Sequence, residues 1–205
     1  FTLANELSSH TGQSRLIRLA YFEHPNYVPL LKKAYGGWRQ IEADAGVSLL
    51  HQTGIAYYGK PEGPLISGIQ SSVSTHDLNM TSISTDHYAP LQIPKEYKGL
   101  FEEVAGFITP EKAIRTYAQQ ALKQGAVLRQ NERVISWQQH PNHISVQTDQ
   151  GSYHTEKLIL TAGPHIQSLL PSFKPKLTIT RQLIGWLNPS CWQDFSIDDF
   201  PCWVI

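Results

Sequence analysis

Cysteine, methionine and net charge are what this 205-residue sequence has least of: two Cys, one Met, and seventeen Lys+Arg balanced by seventeen Asp+Glu. Cys191 and Cys202 are too few for a disulfide framework and lack metal-ligand spacing, which fits a reducing compartment and makes the cytoplasm the expected location. With no net charge, no long-range field would gather nucleic acid or an anionic membrane, and neither is expected as a partner. No apolar run approaches the roughly 18 to 20 residues that cross a bilayer, and the first residues do not read as a secretory signal, so a soluble protein is expected. Internal repeats, low-complexity tracts and charge runs are missing too. What is present is ordinary globular composition, 40% hydrophobic with 14 glycines, in a chain long enough to bury a core. The chain opens at Phe1 in a segment without helix or strand pattern and stops at the apolar run Phe200–Ile205. Natural termini are usually polar and frayed, so the expectation is a piece of a longer polypeptide.

Periodicity predicts a helix over Tyr27–Ala45, with Val28, Leu31, Ala34, Tyr35, Trp38 and Ile41 on one stripe and Gly46 as its stop. Leu49–Tyr58 is rich in β-formers and ends in Gly59-Lys60-Pro61, a strand followed by a turn. A weaker helix is expected over Pro64–His76, a short strand over Leu78–Ser84, and a loop over Pro90–Pro94. Thr109 and Pro110 open a helix whose Ala113, Ile114, Tyr117, Ala118, Ala121 and Leu122 face one side until Gly125. Arg133–Gln139, His143–Thr148 and Tyr153–Leu160, joined by tight polar turns, predict an antiparallel meander. Lys157–Ala162 is apolar on both faces before the Gly163 turn, as a strand of a parallel or mixed sheet would be, and Ile179–Leu187 reads as one more strand. The five tryptophans are expected in the core or on sheet faces.

The densest polar cluster is Ser8-Ser9-His10-Thr11-Gly12-Gln13-Ser14-Arg15-Leu16-Ile17-Arg18. Small hydroxyl residues around a glycine let backbone N–H groups approach an anion. If Arg15 to Arg18 is a helical turn, the two arginines project from one side, and an arginine fork suits a carboxylate. The bland alternative is a surface loop with two solvated arginines.

The run Ser9–Tyr21 resembles the segment that follows the first dinucleotide-binding unit in the monomeric sarcosine oxidase and N-methyltryptophan oxidase family, which includes pipecolate-oxidising relatives. Thr53-Gly54-Ile55, Phe101-Glu102-Glu103-Val104-Ala105-Gly106-Phe107 and Lys157-Leu158-Ile159-Leu160-Thr161-Ala162-Gly163 match in the same order. The resemblance implies an FAD-dependent amine oxidase of the D-amino-acid-oxidase-like superfamily. Such enzymes interleave an FAD domain with a substrate domain, oxidise a small amino acid, and pass the electrons to O2 to give H2O2. The implied fold is α+β: a mixed β-sheet substrate domain with flanking helices, over 46–109 and 177–205, and an incomplete Rossmann-like FAD-binding portion with a β-meander, over 1–45 and 110–176. The implied parent is a monomer.

By the same resemblance, Arg15 lies against the flavin, where fixed positive charge favours the reduced form, and Arg18 holds the substrate carboxylate. Ser8, Ser9, His10 and Thr11 contact FAD by hydrogen bonds. Relatives often carry His directly before the Gly, where this chain has Thr11, with His10 one residue earlier. Val134 matches a position whose backbone meets the adenine end of FAD, and Thr161, Ala162 and Gly163 match the turn passing close to the dinucleotide, where a Cβ has no room. Without the resemblance Val134 is simply a strand residue. No Gly-x-Gly-x-x-Gly unit occurs in the 205 residues. Its family position precedes Phe1, while the cysteine that holds flavin covalently in many relatives, and further substrate and oxygen residues, would follow Ile205. The isolated chain is therefore expected to bind FAD weakly and turn over nothing.

Other constellations carry less. His140 and His143 flank a Pro-Asn turn with no third ligand nearby in sequence, so surface histidines and no metal are expected. Ser9 beside His10 is not a nucleophile and base, and Asn79-Met80-Thr81 is a sequon by pattern alone. Two further readings stay open: a flavin dehydrogenase of the superfamily that uses another electron acceptor, and a carboxylate-binding module without flavin.

Overall fold

The computed structural model describes residues 3–5, 8–172, 177–197 and 199–205, and expectations touching residues 1, 2, 6, 7, 173–176 and 198 lie outside them. The chain divides into two compact units, one of residues 1–11 and 118–185, the other of residues 12–117 and 186–205. The architecture is α+β, with a mixed sheet, flanking helices and antiparallel sheets.

The unit of residues 12–117 and 186–205 holds two sheets. In the first, β1 (Arg15–Ile17) and β2 (Leu50–His51) flank β6 (Gly106–Ile108), all antiparallel. In the second the order is β10 (Cys202–Val204), β3 (Ile55–Gly59), β5 (Lys98–Glu102), β4 (Thr81–Ile83), with β10 parallel to β3 and the other pairs antiparallel. The expected single strand over Leu49–Tyr58 is thus two strands in different sheets. Gly54 makes the break: its φ is +74°, and a Cβ there would lie 2.2 Å from Cζ of Phe101.

Helix α1 (Val28–Ala45) carries a proline in its first turn and ends at Gly46, whose φ of +65° lets its N–H reach the Glu42 carbonyl. Helix α2 (Pro64–His76) has the bounds its pattern predicts. Ile66 and Ile69 of α2 pack with Ala20, Ile55, Tyr57, Leu100 and Ala105 into the main core. Fully burying each large apolar side chain contributes roughly 1.5 to 3 kcal/mol. A second cluster joins Ile41, Leu49 and Ala113, with Trp38 and Val47 against it. Helix α3 (Pro110–Lys123) begins after Thr109, whose hydroxyl bonds the Leu49 carbonyl. Ala113 and Thr116 of α3 are buried, whereas Tyr117 and Leu122 of the expected stripe are exposed.

In the unit of residues 1–11 and 118–185, the expected meander forms from β7 (Val134–Gln139), β8 (Ile144–Thr148) and β9 (Ser152–Thr155), antiparallel in sequence order, but its third strand stops at Thr155 instead of running to Leu160. A 3-10 turn over Gly163–His165 leads into α4 (Ile166–Leu169), tied to β7 by the Trp137 indole donating to the Leu169 carbonyl at 2.9 Å. Two expected strands do not form. Lys157–Ala162 is outside any strand and Ile159 is 84% exposed; Ile179–Leu187 is likewise unpaired, with Leu183 94% exposed. A strand apolar on both faces exists only between neighbours that complete its hydrogen-bond ladder, and no described strand lies beside either segment. Trp186 and Trp192, expected in the core or on sheet faces, are exposed outside any strand, whereas Trp203 stands on the paired strand β10 with its side chain exposed. Among the described residues no helix is long and apolar enough to cross a membrane.

Candidate functional site

The unit of residues 1–11 and 118–185 contains a cavity of about 260 Å³ lined by Ser8, Ser9 and His10 from one side of the sequence and by Thr161, Ala162 and Gly163 from the other. Asn5, Pro164 and His165 complete it. Segments some 150 residues apart thus meet at one concavity, the sort of place where small-molecule sites form. The Nε2 of His10 is buried there without a hydrogen-bond partner, and a buried polar atom of that kind is costly unless something meets it. Gly163 has a φ of +53°, and a Cβ on it would touch no protein atom; its backbone conformation, not crowding by the chain itself, is what favours glycine. Thr11 does not line the cavity. Its hydroxyl donates to the Ser8 carbonyl at 2.7 Å and to that of Asn5 at 3.3 Å, and its N–H reaches the Ser8 carbonyl at 3.0 Å, so it shapes the turn that presents Ser9 and His10. Val134 opens β7 beside a bulge and is not among the lining residues.

Arg15 and Arg18 belong to the other unit. The condition of a helical turn there is not met. Arg15–Ile17 is β1, pairing Arg15 with Ile108 and Ile17 with Gly106, and along extended chain positions three apart no longer share a side. Arg15 is half-buried, and its Nη1 lies 3.3 Å from the Ser14 carbonyl. Gly12 makes room for it: φ there is +127°, and a Cβ would lie 2.9 Å from Nη1 of Arg15.

Arg18 follows β1, and its side chain is 13% exposed. Its guanidinium carbon stands 4.5 Å from the Tyr21 ring centroid and 5.3 Å from that of Phe22, a cation–π shelf made by its own turn. Its Nη2 is 3.4 Å from both carboxylate oxygens of Glu23, a half-exposed partner. Its Nε is buried with no hydrogen-bond partner. A guanidinium stacked on rings, with a loose ion pair and an open Nε, retains the donor capacity that a carboxylate ligand would use.

Glu102 is not singled out by the sequence; only once β5 is in place does alternation put it on the same face as Leu100, an acid in register with an apolar residue. Glu102 is buried and accepts from the Leu19 and Ala20 amides and the Tyr57 hydroxyl. Desolvation pushes its carboxyl above the ordinary range, opposed by the Leu19 N–H, the Tyr57 hydroxyl, the Ala20 N–H and the charge of Arg18. The same burial, with Glu102 adjoining, drives the Tyr57 hydroxyl upward.

His140 and His143 stack at 4.5 Å between centroids, and His154 from β9 joins them at 4.7 Å, a neighbour that sequence distance concealed. Stacked rings turn faces, not nitrogens, toward one another. Among the described residues no group of three or more His, Cys, Asp or Glu could hold a metal ion.

A family model described as "FAD dependent oxidoreductase" matches residues 4–194. The chain is 29% identical over 189 residues to the monomeric sarcosine oxidase of Streptomyces avermitilis, covering 90% of this chain and 49% of that protein. It is 27% identical over 186 residues to the N-methyl-L-tryptophan oxidase of Yersinia pestis, covering 89% and 50%. The chain thus spans about half the length of the curated relatives it matches. Its fold is similar to that of NikD, described as an unusual amino acid oxidase essential for nikkomycin biosynthesis, with a TM-score of 0.70 at 24% identity over 80% of this chain and 43% of that one. It is also similar to that of an L-proline dehydrogenase from P. horikoshii, with a TM-score of 0.63 at 19% identity over 80% and 45%.

Proposed function

From the premise that the chain belongs to the FAD dependent oxidoreductase family, we propose that it supplies cofactor- and substrate-binding residues to a cytoplasmic, monomeric oxidase of secondary amino acids. The substrate class is N-methylated or cyclic, such as sarcosine, N-methyltryptophan or pipecolate, with O2 as final acceptor and H2O2 as product. The observation that carries this reading is the cavity that gathers Ser8, Ser9 and His10 with Thr161, Ala162 and Gly163.

The residues fit a dinucleotide cofactor. An imidazole nitrogen is buried without a partner, two serines stand beside it, and the glycine of the adjoining turn leaves open the space its Cβ would take. When bound, FAD supplies the two-electron acceptance that the amine oxidation requires. Ser8, Ser9, His10, Thr161, Ala162 and Gly163 would hold it by hydrogen bonds and close backbone approach, with Thr11 bracing the turn and Val134 contributing through its backbone. Arg15 would supply positive charge, which favours electron acceptance by a flavin. Arg18 takes the substrate carboxylate, converting a collision into a held orientation.

Because the 205 residues contain no Gly-x-Gly-x-x-Gly unit, alone they bind FAD weakly and turn over nothing. Titrating the chain with FAD tests this: slight quenching of flavin fluorescence is expected, and tight stoichiometric quenching overturns it. In the polypeptide that joins these residues to a dinucleotide-binding unit, sarcosine and O2 should yield peroxide. Flavin bleached by substrate without peroxide would make the enzyme a dehydrogenase with another acceptor. A colourless protein that still binds N-methyl amino acids through Arg18 would make it a carboxylate-binding module.

A further inference from the structure

Glu102 is 1% exposed, and burying an ionisable acid costs free energy that an apolar residue on the same β5 face as Leu100 would avoid. What it holds therefore matters. One carboxylate oxygen accepts the Leu19 N–H at 2.6 Å and the Ala20 N–H at 3.2 Å; the other accepts the Tyr57 hydroxyl at 2.8 Å and lies 3.3 Å from the Ala20 nitrogen. The ladder between β1 and β6 ends at Ile17 and Gly106, so amides beyond it need other acceptors, and for Leu19 and Ala20 that acceptor is Glu102. These amides belong to the two residues directly after Arg18. The turn they begin, closed by the Tyr21 N–H on the Leu19 carbonyl at 2.7 Å, carries Tyr21 and Phe22, the rings on which the Arg18 guanidinium stacks.

We infer that Glu102 is a positioning residue for Arg18: its carboxylate, presented by β5, clamps the Leu19 and Ala20 amides and thereby fixes where the guanidinium and its aromatic shelf stand for the carboxylate of an amino-acid substrate. The inference rests on the proposed role of Arg18. Tyr57, from β3, completes the clamp by occupying the second oxygen, so two central strands of the mixed sheet set the position of one arginine.

The test uses the flavin-loaded enzyme with sarcosine as probe, together with amide exchange on the present chain. Glu102→Ala should raise KM about tenfold or more, since sub-ångström misplacement of a binding group is costly, while kcat stays within about twofold, the pattern of lost uniform binding. Glu102→Gln should stay close to the native KM, because its oxygen can still accept both amides and its NH2 can donate to the Tyr57 oxygen. Exchange at Leu19 and Ala20 should accelerate in Glu102→Ala and stay near native in Glu102→Gln. If Glu102→Ala does not fold, Glu102→Asp keeps the charge but shortens the reach, and should raise KM as well. A native KM in the Ala or Asp variant, or a Gln variant as impaired as Ala, overturns the clamp. Arg18→Met separates the two readings: unchanged KM there sinks the carboxylate role itself, whereas raised KM there with native KM in the Glu102 variants sinks only this inference.

Discussion

The two units of this chain spend their apolar residues differently. In residues 12–117 and 186–205, Ile55, Ile66, Ile69 and Leu100 close on one another around the mixed sheet, and even the buried acid Glu102 has its oxygens met. In residues 1–11 and 118–185, Val146 is the buried apolar residue of the meander, while Val127, Ile135 and Ile159 are exposed. The difference teaches that a local pattern becomes structure only where its partners lie in the described chain. Stability should therefore reside in the first of these units, while the second keeps its shape by hairpins and hydrogen bonds, the low end of the local-stability range.

The largest test of that contrast is Ile66→Ala, which should cost about 2 to 5 kcal/mol in denaturant unfolding, against about 0.5 kcal/mol or less for Ile159→Ala; equal losses would erase the distinction. Next comes Glu42→Ala. The Glu42 carboxylate accepts the Leu49 and Leu50 amides at 2.6 and 2.8 Å and pairs with Arg39 at 2.8 Å. Burial raises its pKa, but the Leu49 and Leu50 bonds and Arg39 outweigh that and leave it lowered. Its loss should cost roughly 1 to 3 kcal/mol, because two amides are left without an acceptor. Trp137→Phe should cost roughly 0.5 to 1.5 kcal/mol and show in amide exchange at β7 and α4 without touching β3. The smallest effect is a pH dependence. Desolvation, then His140 and His154, lower the His143 pKa from its ordinary 6.5, so the unfolded chain binds the proton more readily. The meander should be at full stability above that value and lose stability as pH falls below it, seen as faster exchange in β7 and β8 at pH 5.5 than at 7.5 and absent in His143→Gln.

The helices were readable from sequence because their signals are local: a three-and-four stripe, a proline in the first turn, Gly46 at the end of α1. The meander was readable from its turns. Strands β5 and β6 were not, because each is short and contains a glycine, Gly99 or Gly106, which weakens a strand pattern. These glycines sit in strands because neighbouring backbone presses against them: a Cβ on Gly106 would lie 2.0 Å from the His51 carbonyl oxygen, and one on Gly99 2.4 Å from that of Ile83. Lys157–Ala162 erred the other way, since composition announces a strand but only a ladder makes one. At the candidate site, Ser8, Ser9, His10 and Thr161–Gly163 were picked from sequence and share a cavity. The bracing role of Thr11, the extended backbone at Arg15 and the clamp at Glu102 depend on contacts that no spacing encodes.

The parallel seam between β3 and β10 has a consequence for assembly. Thr53 and Cys202, 149 residues apart, meet at 3.6 Å where that seam begins. Closing so wide a loop is entropically slow compared with pairing β3 to β5. During synthesis the mixed sheet must therefore wait with a bare edge until the distant strand emerges from the ribosome, and that interval is when a chaperone or a second nascent chain would find it.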